Sequence, residues 1–239
     1  MSDGATASIL TIGNELVSGD TPNTNAAWLA RRLAPLGVEV RLVAALPDEI
    51  GAIAEFVRAE APRVDFLVVT GGLGGTPDDL TREAIAAAFN VPQEEVPALA
   101  ADLRARFTRN PEYAARWAIL PRGSRPLANP HGGAPGFALE NVYVFPGLPS
   151  EMEAMFASIE EGFRRGSPIE SWRRVFQTYE SVISASLAET GERWPGVLVG
   201  SYPSFGAGGF TVEVVLKSSD VGALAAASAW LESAIEESG

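Results

Sequence analysis

The chain has 239 residues, with 18 Lys plus Arg against 30 Asp plus Glu, one His and no Cys, for a formal charge of −12. At roughly 100–200 residues per domain, that length allows one large domain, or one domain and a small companion, with a core that needs no disulfide or metal staple. The absence of Cys excludes thiol nucleophiles, thiolate zinc and iron–sulfur sites, the single His131 excludes His-rich metal sites, and the acidic balance, with Lys217 the only lysine, argues against nucleic acid as a partner.

The start, Met1-Ser2-Asp3-Gly4, lacks a basic segment. No apolar run reaches about 18 residues, so a cytoplasmic protein with no membrane partner is expected. Ser8 to Ile12 is a short β-rich run ending at Gly13, and Asn25 to Leu36 carries apolar residues at helical spacing up to Gly37. Val38 to Leu46 alternates as a strand, and Asp48 is expected to cap a helix reaching about Ala61. Phe66 to Val69 is a continuous apolar run, as in a strand buried on both faces. Asp78 to Phe89 and Glu94 to Phe107 read as helices, with a Gly-rich turn from Gly71 to Pro77 before them. Pro121 to Gly136 is too rich in Pro and Gly for an element. Val142 to Phe145 is a strand and Pro149 to Phe163 a helix. This order predicts a three-layer α/β/α domain with a mostly parallel sheet over residues 1–166. Beyond a turn-rich boundary, Val175–Tyr179, Ser181–Glu192, Val197–Tyr202, Phe210–Leu216 and Val221–Glu237 predict a small β-α-β-β-α module over 167–239.

In open α/β sheets, ligands sit at the carboxyl ends of strands. Three loops qualify: after Ile12, after Val69 and after Phe145. The second, Thr70-Gly71-Gly72-Leu73-Gly74-Gly75-Thr76-Pro77-Asp78-Asp79-Leu80-Thr81, is the richest. Its glycines let the backbone approach a ligand, and free amides at a helix start attract anions. It is neither a Walker loop nor a full dinucleotide fingerprint. Asp78 and Asp79 would repel a phosphate unless a divalent cation such as Mg²⁺ bridges them. Thr76 at the N-cap, Pro77 at the first helical position and the two acids after it would equally make a good helix start. The glycines favour the ligand reading, because capping does not need them. In the first loop, Gly13 to Gly19, Glu15 is a candidate second metal-facing acid, and Asn25 downstream orients a ligand or caps a helix. The third loop, Pro146-Gly147-Leu148-Pro149-Ser150-Glu151-Met152, opens another helix, but Ser150 lacks a nucleophile elbow. Asn129 and Gly132 to Gly136 form a further Gly/Pro-rich stretch, with His131 a loop hydrogen-bonder. Gly206-Ala207-Gly208-Gly209 matches a Gly-x-x-Gly clamp only superficially, since it lies between strands of an acidic module.

These stretches, in this order, resemble the CinA family of competence/damage-inducible proteins and their molybdopterin-binding (MoCF-type) domain, from about Ile9 to Phe163. The tail is similar, more weakly, to the family's KH-like module. Gly75 stands where the family has Pro, and Asn14 where Asp is common. Against the molybdopterin adenylyltransferases, Leu73 replaces Thr and Asp78 replaces Arg. The chain is expected to lack the amidase domain of the long members. The resemblance implies a metal-dependent pyrophosphatase of ADP-ribose or a related nucleoside-diphosphate sugar. The alternative is a molybdopterin binder or adenylylating protein, or a nucleotide binder without turnover. It implies Asp79 and Asp78 as catalytic residues, and Asp79, Asp78 and Glu15 as metal ligands. It places Gly71, Gly72, Leu73, Gly74, Gly75, Thr76, Thr81, Asn25, Gly147, Pro149 and Ser150 around a nucleotide or pterin phosphate. Related domains self-associate, so a dimer or trimer is expected.

Overall fold

The computed structural model describes residues 4–206 and 209–236. Met1 to Asp3, Ala207, Gly208 and Glu237 to Gly239 lie outside the described residues, and with them most of the amino-terminal start and the middle of the Gly-x-x-Gly stretch. The chain divides into two compact units. One is Ala5–Leu33 with Val38–Arg164, and the other is the described part of Met1–Gly4, Ala34–Gly37 and Arg165–Gly239. Ala34–Gly37 joins the second because Leu36 O accepts from Arg165 N at 2.8 Å and Ala34 O from Ile169 N at 2.9 Å.

The first unit opens with β1 (Ala5–Ile12), a short helix α1 (Asn14–Ser18), α2 (Thr24–Leu33), β2 (Val38–Leu46), α3 (Ile50–Glu60) and β3 (Phe66–Thr70). It continues with α4 (Thr81–Phe89), β4 (Gln93–Glu95), α5 (Pro97–Arg106), α6 (Pro111–Ala115), β5 (Ile119–Pro121), β6 (Arg125–Leu127), β7 (Gly136–Leu139), β8 (Val142–Phe145) and α7 (Pro149–Ile159). A six-stranded sheet has the order β2-β1-β3-β8-β7-β6. Its pairs β1–β2, β1–β3 and β3–β8 are parallel, and β7 runs antiparallel to both neighbours.

Alternation along the buried strands builds the layers. Leu67 and Val69 of β3, with Val142 and Val144 of β8, pack with Ile53 and Val57 of α3 and Ala84 and Ile85 of α4. Phe66, Tyr143 and Phe145 turn the other way, onto Phe163 and Phe156 at the end of the chain's α7 region, and Trp28 of α2 meets Phe156 edge-on at 5.7 Å. The mixed α/β architecture with a mostly parallel sheet is the one predicted.

Several boundaries differ, each for a local reason. Helix α4 starts at Thr81, not Asp78, because residues 76–79 close a turn in which Asp79 N donates to Thr76 O at 3.1 Å with Pro77 inside it. The predicted helix from Glu94 is split: Gln93–Glu95 pairs with Ile119–Pro121, and α5 starts only at Pro97. The stretch from Pro121 to Gly136 contains β6, paired to β7 through Leu127↔Gly136. Asp48 does not cap α3, whose N-cap Glu49 makes no side-chain cap bond.

The second unit contains β9 (Glu170–Phe176), α8 (Glu180–Arg193), β10 (Leu198–Gly206), β11 (Gly209–Ser218) and α9 (Val221–Glu236). Its antiparallel sheet has the order β10-β11-β9. Phe176, Val212, Val214 and Leu216 face Ile183, Leu224 and Leu231 of the helices.

Candidate functional site

The strand order reverses between β1 and β3: the chain passes from β1 to β2 on one side and then to β3 on the other. Such a switch point opens a crevice outside the carboxyl ends of the strands. A cleft of about 100 Å³ lies there, with Thr11 and Ile12 from the end of β1, Thr70 from the end of β3, and Glu15, Asn25, Gly147 and Pro149 around it. Four predicted site residues from three separate segments therefore share one cleft.

Asn25 holds the loops together. Its Nδ2 donates to Gly147 O at 2.8 Å and to Thr70 Oγ1 at 3.3 Å, and its Oδ1 is buried without a partner. Asn23, not Asn25, caps α2, its Oδ1 accepting from Ala26 N at 3.1 Å while its Nδ2 donates to Thr11 Oγ1 at 2.8 Å. Thr70 Oγ1 donates to Pro146 O at 2.7 Å, and Gly71 N to Phe145 O at 3.1 Å, tying the loop after β3 to the one after β8. At Gly147 a Cβ would stand 3.3 Å from the Gly71 Cα. Gly71 itself has φ +111, and a Cβ there would run into the Ile12 carbonyl oxygen. Glycine at 71 is thus required by the close approach of β1 and the loop.

The Gly-rich loop is braced from within. Thr81 is fully buried, and its Oγ1 donates to Gly71 O at 2.8 Å and its N to Gly72 O at 3.2 Å. Arg82 is only 6% exposed, with Nη1 donating to Leu73 O and Nη2 to Gly74 O, each at 2.8 Å. Burial pulls its guanidinium below the ordinary value, Glu83 and Asp79 oppose this, and neighbouring Arg116 adds to it. Asp79 closes the loop's tip: Oδ1 accepts from Gly74 N at 2.8 Å, and Oδ2 from Thr76 N at 2.8 Å and Thr76 Oγ1 at 2.5 Å.

This changes the predicted roles. The amides of Gly71 and Gly74 are committed inside the protein, while those of Gly72, Leu73 and Gly75 have no protein partner among the described residues. Leu73 is a core side chain at 1% exposure. Gly74, Gly75, Thr76 and Asp79 line a separate cleft, which shares no residue with that around Asn25. Asp78 is exposed on the turn and Ser150 is exposed in the first turn of α7, and neither lines the Asn25 cleft.

The predicted metal ligands are not gathered into a cage. Among the described residues, no three acidic or histidine groups stand close enough to hold one ion. Asp79 presents its oxygens to three loop donors, so the loop itself takes most of its capacity. Glu15 is exposed with its carboxylate against Gly13. Asp48, which the sequence did not single out for this place, accepts from Asn14 N at 2.9 Å and answers with its own N to Asn14 Oδ1 at 3.4 Å. Burial raises its pKa, the Asn14 amide opposes this, and the charges of Glu15, Asp78 and Asp79 raise it further. The remaining stretch is structural: Asn129 Nδ2 donates to Glu151 Oε2 and Ala134 O, each at 3.0 Å, which pins the 129–134 loop to α7.

Sequence reading missed Arg82, Asp48 and the threonines at the strand ends. Threonine in a strand is ordinary, and an arginine early in a helix reads as solvated. The one available signal for Arg82 was its position directly after Thr81, on the helix that the loop opens.

A model described as a probable molybdopterin binding domain matches residues 8–163, and one described as FAD synthase, middle domain, matches residues 175–239. A protein from Archaeoglobus fulgidus is 40% identical over 83% of this chain and 86% of its own length. A CinA-like protein from Frankia casuarinae is 41% identical over 78% of this chain, which spans about half (48%) of that relative. Among solved structures, that of the protein CinA, of unknown function, from Thermoplasma acidophilum is similar at a TM-score of 0.64 and 32% identity, over 68% of this chain and 99% of that one.

Proposed function

The chain belongs to the CinA-like molybdopterin-binding-domain family, and from that premise we propose that its first unit binds a small phosphate-bearing ligand, a nucleotide or a pterin phosphate, at the β1/β3 switch point. The observation that carries this reading is that Glu15, Asn25, and Gly147 with Pro149, from three separate segments, line one cleft where the strand order reverses. Polar side chains of Thr11, Thr70 and Asn23 line it, and the buried Asn25 Oδ1 offers an acceptor to a ligand N–H or hydroxyl.

The finer reading is hydrolysis of the diphosphate of ADP-ribose or a related nucleoside-diphosphate sugar. A divalent ion would supply charge neutralisation and an activated water. The residues do not fit a closed three-carboxylate cage with Asp79. They fit a Mg²⁺-type ion that keeps waters and takes one or two carboxylates together with substrate phosphates, with Glu15 and Asp48 the acids to hold it. Burial is the main cause of the raised Asp48 pKa, and the smaller repulsion from Glu15, Asp78 and Asp79 is what such an ion relieves. Asp79 then acts through the loop, as a positioning residue. Self-association as a dimer or trimer is part of the same reading and is read by sedimentation.

The test is to titrate the protein with ADP-ribose, AMP, ATP and a pterin phosphate, with and without Mg²⁺, alongside Asn25→Ala. Saturable binding weakened by Asn25→Ala supports the site. Products formed only with Mg²⁺ and ADP-ribose support the hydrolase, and tight binding without product supports the binder. No binding of any of the four would remove the proposal.

A further inference from the structure

The residues left over from the Asn25 cleft make a second one. It has about 130 Å³ and is lined by Gly74, Gly75 and Thr76 of the loop, Arg82 of α4, Gln93 of β4 and the pair Arg116 and Trp117. Arg116 and Trp117 sit in a single 3₁₀ turn, Arg116–Ala118, that follows α6. The Trp117 ring is fixed in place: Phe107 meets it edge-on at 5.1 Å and Tyr113 at 5.8 Å, over a small core of Ala100, Leu103 and Ala114.

Three features of this cleft ask for an acceptor. The Trp117 Nε1–H is buried and has no hydrogen-bond partner, a donor that costs free energy until something accepts from it. The Arg116 guanidinium makes no ion pair or hydrogen bond among the described residues, and its charge bears on that of Arg82. The Gly75 amide is likewise unpaired, and Tyr113 packs so close to Gly75 that a Cβ there would strike its hydroxyl. The acids that line the cleft do not satisfy these donors. Asp79 is spent on Gly74 and Thr76, and the exposed Glu83 makes no hydrogen bond or ion pair with Arg116, Trp117 or Gly75 among the described residues. The donors left are a guanidinium, an indole N–H and a backbone amide, a set without a free acceptor among them.

We propose that this second cleft is an oxyanion site, and that the anion it takes is a phosphate held by Arg116, the Trp117 indole N–H and the Gly75 amide. The phosphate comes either from solution, as inorganic phosphate, or from the ligand of the Asn25 cleft, reaching past the loop that forms one wall here.

The experiment uses the intact chain, labelled with ¹⁵N, and follows the indole N–H signals of its five tryptophans. Trp117→Phe identifies the signal of interest. Inorganic phosphate is titrated first, then ADP-ribose. The Trp117 signal moves saturably with phosphate, and Arg116→Gln weakens that response about tenfold, the worth of one charge-assisted hydrogen bond. Because Arg116 is exposed, its variant keeps the other four indole signals in place, which shows that it is folded. A response to ADP-ribose at lower concentration than to phosphate, lost in Asn25→Ala, assigns the phosphate to the ligand. A response to phosphate alone, kept in Asn25→Ala, assigns it to solution, and stands even if the first cleft binds none of its candidates. A Trp117 signal that neither anion moves, or one whose movement Arg116→Gln leaves unchanged, overturns the proposal.

Discussion

The two clefts are made of different chemistry. Around Asn25 the polar lining is threonine, asparagine and backbone, with one exposed carboxylate, and the contacts made there by Asn23, Asn25 and Thr70 are neutral hydrogen bonds. The second cleft is charged: Arg82, Asp79, Glu83 and Arg116 all line it. The same twelve-residue motif serves both. Its amino-terminal half closes against β1 and the loop after β8, and its carboxyl-terminal half is shaped by its own Asp79 and by Arg82 of α4, both bonded to the loop backbone. The contrast shows that acidic residues in a glycine-rich loop need not be ligands. A carboxylate can occupy a set of backbone amides as an internal anion and so fix the loop's shape.

The strongest way to break the contrast is to remove the buried cation. Arg82→Ala leaves the Leu73 and Gly74 carbonyls without donors, and a loss of about 3 kcal/mol is expected in urea unfolding, since the group is buried and makes two charge-assisted bonds. A loss below about 1 kcal/mol would show that the loop holds its shape without it. Next comes Gly71→Ala, where the positive φ and the Ile12 carbonyl together predict a loss of about 2 kcal/mol or more, read as a lowered Tm.

Asp79→Asn separates the two roles of that residue. An amide cannot accept at both of its termini, so one of the Gly74 and Thr76 donors loses its partner, for a loss of about 1.5 kcal/mol. If Asp79 were instead a metal ligand, stability would hold while the Mg²⁺ requirement shifted. Asn25→Ala is expected to cost about 1 kcal/mol of stability and roughly tenfold in ligand affinity, and to leave the Trp117 indole response to inorganic phosphate unchanged.

The smallest effect is at Asp48. Its folded pKa lies above the 3.8 of the unfolded group, mainly through burial. The folded state therefore binds more protons between 3.8 and that raised value, and stability contributed by this group falls as pH rises through the window. Asp48→Asn keeps an acceptor for the Asn14 amide and removes the repulsion, so a flatter pH profile across that window is expected in acid unfolding experiments. An unchanged slope would place the repulsion elsewhere.

Much of the fold was legible in the sequence. The apolar runs at Phe66–Val69 and Val142–Phe145 are buried strands, and the alternation from Val38 to Leu46 matches β2 in full. The β-α-β-β-α order of the second unit also follows from the periodicity. What did not follow were short pairings such as Glu94↔Leu120 and Leu127↔Gly136, where three-residue strands carry no periodicity of their own and exist only because a partner lies alongside. For the site, the loops were legible because glycine and proline cluster there. The partners of individual side chains were not.

By itself, the sequence determined where the chain turns, which strands are buried, and that backbone amides and carboxylates meet at their carboxyl ends. These are local matters of periodicity and of residues with special backbone freedom. Only the tertiary structure decided that Asn23 rather than Asn25 caps α2, leaving Asn25 free to reach Gly147, 122 residues away. It likewise decided that Asp79 faces into its own loop and that Arg82 lies beneath it. The physical reason is that a polar side chain takes the partner that burial makes most costly to leave unpaired, and burial is set by contacts from distant parts of the chain.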